Sequence, residues 1–362
     1  MISAAFAIPG DIATPTGGYR YDREVLARVG AHGVALDHLA LPASFPTPSD
    51  DDLLRTAGAL VSLPPDRILL ADGLAYGALP ESICASIRCP IVALIHHPLA
   101  LESGIGAMAA GHLRHSETVA LTHAAAVIAT SRVTARTLVD DYDVQPDRIT
   151  VAEPGTDPAP RATGSGGPGK LILAVGAVSH RKGYDVLMDA LGELVDLPWK
   201  LVVVGATDRD APAYQAARRA IDRNGLAQRI SFAGSLSDEA LAGLYGRADL
   251  FVMPSRYEGY GMVLAEAMAR GLPIVATTGG AAAETVPDAA ALKVPPGHAA
   301  ELRAAIARAL GDDALLNRLA DASWAAGRKL PHWDDTARIV AAVLTRIGAG
   351  RPGKGSHKGQ VA

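Results

Sequence analysis

Cysteine is almost absent from this 362-residue chain, which contains only Cys84 and Cys89. Two cysteines cannot build the multi-bridge framework of a small secreted protein, and no Cys/His array typical of zinc binding accompanies them. Aromatic residues make up only 4% of the chain, so we expect an aliphatic core. The scarcity of cysteine predicts a protein of the reduced cytoplasm.

Long hydrophobic runs and an excess of basic residues are also missing. No stretch of about eighteen apolar residues occurs, so we expect no transmembrane helix. The apolar residues 1–11 lack a basic segment and reach Pro9 and Gly10 at once, which indicates a buried first strand and not a signal peptide. The net charge of −4 argues against a nucleic-acid-binding protein.

Hydrophobic residues, in contrast, make up 49% of the chain and occur in short runs that alternate with helical patterns. Runs such as RILLAD, IVALIH, KLILAVGA and DLFVMPS are apolar throughout, as in parallel strands covered on both faces. The Gly/Pro-rich residues 154–169 interrupt this alternation and are predicted to be a linker. The pattern predicts an α/β protein of two doubly wound, Rossmann-like domains, residues 1–160 and 161–330, with a flexible tail at 349–362.

The carboxyl ends of the predicted strands are where a ligand site is expected. After the strand DLFVMPS come Glu258, Gly259 and Gly261, and then a helix. Free N–H groups at the start of a helix suit a phosphate. A carboxylate repels a phosphate, so Glu258 fits better as an acceptor for sugar hydroxyls.

Glu266 lies within that helix and has two interpretations. Its spacing allows an ordinary salt bridge to Arg270 at i+4, which is the simpler one on spacing alone. The alternative is ribose recognition, in which a carboxylate accepts hydrogen bonds from two vicinal hydroxyls.

Cations and glycines follow other strands. Arg181 and Lys182 come after KLILAVGA, either as a diphosphate clamp or as a solvated pair. Gly17 and Gly18 follow the first strand and allow close approach of the backbone to a ligand, although a plain turn is the simpler interpretation. They are not part of a GxGxxG fingerprint, so a nicotinamide site is disfavoured.

Histidines and aspartates complete the candidates. His96 and His97 end the strand IVALIH, where one of them is expected to bind a substrate hydroxyl or phosphate and the other to be a buried structural residue. No third metal ligand is evident nearby in the sequence. Asp208 and Asp210 form an Asp-x-Asp that in principle holds a metal–diphosphate, but we interpret it as a surface loop.

Taken together, these segments resemble the retaining GT-B glycosyltransferases of family 4, or glycosyl transferases group 1. The family's Glu-x7-Glu motif matches Glu258 and Glu266 within SRYEGYGMVLAEAMARGLPIV. GAVSHRKG, FAGSLSDEALAGLYGRADLFVMPS, TTGGAAAE and VAEPGTD continue the resemblance. It is strong over the carboxyl-terminal half and weak over the amino-terminal half. Ala177 and Pro154 depart from the family's usual Arg and Asn.

The resemblance implies a role for each matching residue. Arg181 and Lys182 would bind the donor diphosphate, Glu266 the ribose and Glu258 the transferred sugar, and His96 would contact that sugar. The implied catalytic set is Glu258, His96, Arg181 and Lys182, and the donor site adds Gly17, Gly18, Ser235, Leu236, Gly259, Tyr260, Gly261 and Glu266. The final helix, 333–348, would cross back onto the first domain.

The expected function is therefore that of a retaining, metal-independent hexosyltransferase without a cofactor, which uses a nucleotide diphosphate sugar as co-substrate. The acceptor would be a glycan, lipid-linked or small molecule, and peripheral contact with a membrane through residues 105–123 is a further expectation. The open alternatives are a nucleotide-sugar epimerase or hydrolase of the same fold, a non-catalytic sugar-nucleotide-binding protein and, less favoured, an NAD oxidoreductase.

Overall fold

The computed structural model describes residues 1–102 and 104–350, which form two α/β domains. The strands are β1 (Ile2–Pro9), β2 (Val34–Leu41), β3 (Ile68–Asp72), β4 (Ile91–Ile95), β5 (Ala126–Ala129), β6 (Ile149–Val151), β7 (Lys170–Val175), β8 (Trp199–Val204), β9 (Ile230–Phe232), β10 (Leu250–Met253), β11 (Ile274–Thr277) and β12 (Ala291–Val294). The helices are α1 (Gly17–Arg28), α2 (Asp50–Val61), α3 (Gly73–Tyr76), α4 (Glu81–Ser86), α5 (Ala107–His123), α6 (Arg132–Tyr142), α7 (Tyr184–Gly192), α8 (Ala211–Arg223), α9 (Asp238–Arg247), α10 (Met262–Ala269), α11 (Ala282–Thr285), α12 (Ala299–Gly311), α13 (Asp313–Gly327) and α14 (Trp333–Ala349).

The first sheet is parallel and has the order β2-β1-β3-β4-β5-β6. Strands β3, β4 and β5 are buried along their whole length because helices cover both faces of the sheet. Strand β2 lies at the edge, and only its first and last residues, Val34 and Leu41, are buried. The apolar runs therefore predicted the central strands better than the edge strand.

The second sheet is also parallel, with the order β12-β11-β10-β7-β8-β9. Its strand order reverses between β7 and β10, and that of the first sheet reverses between β1 and β3. The crevice outside the carboxyl ends of such strands is where open α/β sheets bind ligands. The loops after β1, β3, β7 and β10 are therefore the ones that position a site.

Local sequence sets several helix starts. Thr16, Ser131 and Ser237 precede α1, α6 and α9, and each hydroxyl accepts a hydrogen bond from a backbone N–H of the first turn. The sequence pattern predicted a helix that starts near Tyr19. In the structure helix α1 begins at Gly17, so its first turn carries the Gly17–Gly18 pair.

Helix α14 packs on the first domain although it comes last in the chain. Trp333, Val340 and Leu344 share a buried core with Phe6 and Ile8 of β1. The chain thus crosses from the first sheet to the second and returns.

Three expectations need correction or a limit. The predicted linker is in extended contact with the second domain, because the N–H groups of Ala162 and Thr163 donate to the carbonyls of Arg270 and Gly246. Helices α12 and α13 were not predicted, although α12 contributes Leu302 and Ile306 to the second core. The expected tail lies outside the described residues from 351 onward.

Candidate functional site

The loops after β7 and β10 meet at the switch point of the second sheet, and three of their charged side chains come together there. Glu258 follows β10, and its side chain is almost fully buried. Lys182 Nζ donates to Glu258 Oε1 at 2.7 Å, and Arg181 Nη1 lies 3.3 Å from Glu258 Oε2. The structure therefore joins two segments that lie 76 residues apart in the chain.

The two cations determine the charge of Glu258. Burial alone raises the pKa of a carboxyl, but the attraction of Lys182 and Arg181 outweighs it and lowers the pKa of Glu258 to about 2. Burial also lowers the pKa of Lys182, and attraction to Glu258 opposes this shift. The Glu258 carboxylate therefore stays ionised at neutral pH. It can accept hydrogen bonds from hydroxyl groups, but it is a poor proton acceptor.

Glu266 comes eight residues after Glu258 in the sequence and lies in the second turn of α10. Its Oε1 is 2.5 Å from Arg20 Nη1, and its Oε2 accepts a hydrogen bond from the Tyr245 hydroxyl at 3.0 Å. The salt bridge to Arg270 that the i+4 spacing favoured does not form. Arg270 donates to the main-chain carbonyl of Glu266 and lies over the Tyr245 ring, 4.6 Å from its centre. The carboxylate therefore faces the first domain.

The first domain closes the other side of the cleft with Gly18 and His96. A Cβ on Gly18 would lie 3.4 Å from His96 Cδ2, so helix α1 packs directly on the imidazole. A Cβ at Gly259 would collide with the main-chain carbonyl of His96, so only glycine allows this approach of the two domains. Gly17 lies opposite Met262 at the start of α10.

The sequence showed no acidic partner for His96, but in the structure this residue belongs to a cluster with two buried aspartates. Its Nε2 is 3.2 Å from Asp22 Oδ1 and 3.9 Å from Asp72 Oδ2. Asp22 lies on α1 and Asp72 ends β3. The sequence analysis named neither aspartate and found no third ligand near His96. These three side chains could together hold a cation.

Two family models match the chain in succession. The model described as "Glycosyltransferase Family 4" matches residues 11–160, and the model described as "Glycosyl transferases group 1" matches residues 169–312. The chain belongs to the group 1 and family 4 glycosyltransferases. The family assignment and the transferase class, EC 2.4, inferred from the Glu-x7-Glu motif are thereby confirmed.

Individual relatives are more distant. A mannosylfructose-phosphate synthase of Agrobacterium fabrum is 34% identical over 42% of this chain and 38% of its own length. A MMP alpha-(1->4)-mannosyltransferase of Mycolicibacterium hassiacum is 28% identical over 84% of this chain and 76% of its own length. A D-inositol 3-phosphate glycosyltransferase of Xylanimonas cellulosilytica is matched over 58% of its length. The chain thus spans less than two thirds of several of the curated relatives that it matches.

Solved structures confirm the GT-B fold of this glycosyltransferase. Sucrose-phosphate synthase from Thermosynechococcus elongatus superposes with a TM-score of 0.81 at 21% identity, over 97% of this chain and all of its own. Anabaena HepE in complex with UDP and glucose gives 0.76 at 19% identity, over 96% of this chain and all of its own. At such identity the likeness concerns the fold alone.

The second histidine of this glycosyltransferase occupies a different position from the first. His97 Nε2 lies 3.2 Å from Glu102 Oε2, and Arg181 Nε donates to Glu102 Oε1 at 3.2 Å. His97 also packs against the Tyr257 ring. The two neighbouring histidines therefore face different partners, His96 the buried aspartates and His97 the opposite domain.

The remaining candidates lie further out. Ser235 is exposed and Leu236 is half-buried beside the core that holds Tyr245. Tyr260 is buried, and its carbonyl accepts a hydrogen bond from the Thr285 hydroxyl. Asp210 caps α8 and accepts from the His180 N–H, which is a structural role consistent with the surface-loop interpretation.

Sequence reasoning missed Arg20, Asp22, Asp72 and Tyr245. One of them carried a usable signal, because Asp72 ends the strand RILLAD and so lies at the carboxyl edge of the sheet. The others lie inside helices, where local spacing does not show the partner. No helix in the part of the chain that the structure describes is long and apolar enough to cross a bilayer.

Proposed function

We propose that this glycosyltransferase transfers a hexose from a nucleoside diphosphate sugar to a hydroxyl of a glycan, lipid-linked or small-molecule acceptor, with retention of the anomeric configuration and without a metal ion. The observation that carries the proposal is the convergence of Arg181, Lys182 and Glu258 at the switch point, with His96 on the opposite wall.

The two cations suit a diphosphate leaving group. In the structure Arg181 and Lys182 are neutralised by Glu258 and Glu102. A diphosphate supplies stronger negative charge at the same place, and the fixed cations would stabilise the charge that develops as the sugar–phosphate bond breaks. Glu258, relieved of part of its pairing, would accept hydrogen bonds from the hydroxyls of the transferred sugar.

Glu266 suits the other end of the donor. Glu258 lies in the loop before α10 and Glu266 within that helix, so one carboxylate would lie near the sugar end and the other near the ribose end of an extended ligand. HepE is described in complex with UDP-glucose, which supports a nucleotide sugar as the class of donor. Ser235 and Leu236 would lie near the base.

The proposed reaction uses no protein nucleophile and no general base. The acceptor oxygen would bond to the anomeric carbon on the face that the diphosphate leaves. The bonding electron pair would go to the phosphate oxygen, which would take the acceptor's proton. The balanced products are the glycoside and the nucleoside diphosphate, and closure of the two domains would exclude water. Cys84 and Cys89 are both buried, and the scarcity of cysteine suits a protein of the cytoplasm.

A ligand screen tests the donor assignment. Thermal shift is measured with UDP-, GDP-, ADP- and dTDP-sugars, each with and without a chelator. Stabilisation by one nucleotide series that the chelator does not change supports the proposal. A shift that the chelator abolishes would refute metal independence, and the absence of any shift in a folded sample would refute the donor site.

Product analysis separates the competing enzyme classes. With the stabilising donor alone, accumulation of an epimerised donor would identify an epimerase, and stoichiometric free hexose a hydrolase. With an acceptor added, an α-glycoside from an α-linked donor establishes retention in the product's proton NMR spectrum, and a β-glycoside refutes it.

A further inference from the structure

Three buried titratable groups meet in the first domain, and the reaction as proposed uses only one of them. Asp22, Asp72 and His96 come from α1, the end of β3 and the end of β4, and their ligand atoms all lie within 4.8 Å of one another. Asp22 is fully buried, and Asp72 is 2% exposed. Such a cluster needs protons at defined places, because two adjacent buried carboxylates repel each other strongly.

Hydrogen bonding indicates where the protons lie. Asp22 Oδ1 faces His96 Nε2 at 3.2 Å, a hydrogen-bond distance, whereas Asp72 Oδ2 lies at 3.9 Å from the same nitrogen. Asp22 Oδ2 is buried and has no hydrogen-bond partner among the described residues. If both carboxyl groups are ionised, neither can donate a hydrogen bond to the other. Asp72 is the neighbouring carboxyl and its Oδ1 accepts from the Leu74 N–H, so a proton on Asp72 would provide the donor that the two carboxyl groups lack.

The electrostatics agree with this distribution. Burial and the repulsion of Asp22 raise the pKa of Asp72 to about 8. Burial lowers the pKa of His96, but the charge and hydrogen bond of Asp22 outweigh it and raise that pKa to about 9. The charged groups that act on His96 are Asp22 and Asp72, Tyr21 packs edge-on against its ring, and Gly259 of the second domain approaches its main-chain carbonyl.

We propose that Asp22 is a positioning residue that holds His96 as an imidazolium, and that Asp72 is its neutral, proton-bearing neighbour. The Nε2–H is committed to Asp22. The remaining donor, Nδ1–H, makes no hydrogen bond to the described residues and is left for the ligand. The catalytic meaning of this charge rests on the proposed function, since a fixed cation beside the donor would stabilise the departing phosphate or a sugar hydroxyl.

Proton NMR of the imidazole C–H groups tests the charge assignment without requiring any activity. The His96 resonances are assigned by their loss in His96→Gln, and the full chain is titrated with pH. We expect the His96 midpoint near pH 9 in the wild type. A midpoint at or below pH 6.5, the ordinary value for histidine, would overturn the proposal even if every variant failed to fold.

Two asparagine variants distinguish the aspartates. Asp22→Asn removes the counter-ion and is expected to lower the midpoint by about two pH units or more. Asp72→Asn removes a carboxyl that lies farther from Nε2, at 3.9 Å, and is expected to lower the midpoint by clearly less than Asp22→Asn does. Equal shifts in the two variants, or a larger one in Asp72→Asn, would refute the assignment. Asp52→Asn, a buried aspartate outside the cluster, is the matched control.

Kinetics and a metal titration complete the test, with UDP-glucose as the probe donor. Asp22→Asn is expected to lower kcat about 10- to 100-fold with a smaller change in KM, since the charge acts in the transition state. Unchanged kcat with a shifted midpoint would leave the charge assignment standing and refute its catalytic role. If neither UDP-glucose nor any donor that stabilises the protein in the ligand screen is turned over, the proposed function fails while the titration still decides the charges. Selective broadening of the His96 signals by Mn²⁺ would show a cation site and overturn the proposal.

Discussion

Arg20 of α1 and Glu266 of α10 form a salt bridge across the cleft, with Arg20 Nη1 2.5 Å from Glu266 Oε1. Arg20 also pairs with Asp157 at 2.9 Å, and its pKa is raised because Glu266 and Asp157 outweigh the opposing effect of burial. The carboxylate proposed to bind the ribose therefore already has a cation from the opposite domain. Ribose hydroxyls and Arg20 compete for the same oxygen atoms.

This competition makes Arg20→Met a test of the ribose assignment. Without the guanidinium, Glu266 Oε1 is released to hydroxyl donors while Tyr245 still donates to Oε2, so UDP is expected to bind about 2- to 10-fold more tightly, equivalent to one partly exposed ion pair. Calorimetry of UDP binding measures this change. Arg28→Met, which breaks an exposed pair with Glu24, is the control. Weaker binding in Arg20→Met would show that Arg20 contacts the nucleotide directly.

Glu266→Gln is expected to abolish recognition of the ribose hydroxyls. An amide accepts fewer hydrogen bonds than a carboxylate, so the preference for UDP over 2′-deoxy-UDP should fall from about tenfold to nearly one. Paired binding titrations of the two nucleotides give this ratio. A preference that survives the substitution would assign the ribose to other groups, and Glu266 to the interdomain salt bridge alone.

Lys182→Met tests the diphosphate clamp. Removing one of two buried cations is expected to weaken UDP binding about 10- to 100-fold, since hydrogen bonds to charged groups contribute about 1.5–3 kcal/mol. Uridine, which carries no phosphate, should bind equally to variant and wild type. Lys170→Met, which breaks an exposed pair with Asp313, is the matched control. Unchanged UDP binding would remove Lys182 from the phosphate site.

Glu258→Gln should separate catalysis from nucleotide binding. The substitution frees Arg181 and Lys182 from their carboxylate partner, so UDP is expected to bind as tightly as before or more so. Turnover should fall about 100-fold or more, because the charged contact to the transferred sugar is lost. Parallel calorimetry and initial-rate assays measure both. If UDP binding collapses with turnover, Glu258 is a structural residue.

Glu117 of α5 gives a prediction about stability. It is fully buried and accepts a hydrogen bond from the Leu99 N–H at 2.9 Å, and burial raises its pKa to about 8. The native state therefore keeps a proton that the unfolded chain loses near pH 4.5. Between these pH values the free energy of unfolding should fall by about 1.4 kcal/mol per pH unit on account of this group.

Glu117→Gln should remove that decline and stabilise the protein above about pH 5, since a glutamine needs no proton to remain neutral. Urea unfolding at several pH values measures the slope in wild type and variant. Glu81→Gln changes an exposed glutamate and serves as the control. A variant with the wild-type slope, or one less stable at neutral pH, would contradict the assigned protonation of Glu117.

The sequence by itself determined the α/β class, most strands of the two sheets and the family. These features depend on local patterns: aliphatic runs form buried parallel strands, and the Glu258–Glu266 motif occupies one short stretch, a glycine-rich loop followed by the start of α10. Local patterns also explain the misses. Helices α12 and α13, which were not predicted, follow the last segment for which the motif provided a guide.

Tertiary structure alone decided which charges meet. Arg20 and Glu266 lie 246 residues apart in the chain, and Asp22 reaches His96 across 74 residues. An i+4 spacing favoured Arg270 for Glu266, but the closing of two domains brought a stronger partner from the other side of the cleft. The pKa values of Asp72, His96 and Glu258 likewise depend on burial and on nearby charges. Both arise only when separate segments pack together, so they depend on the surroundings of a group and not on its neighbours in sequence.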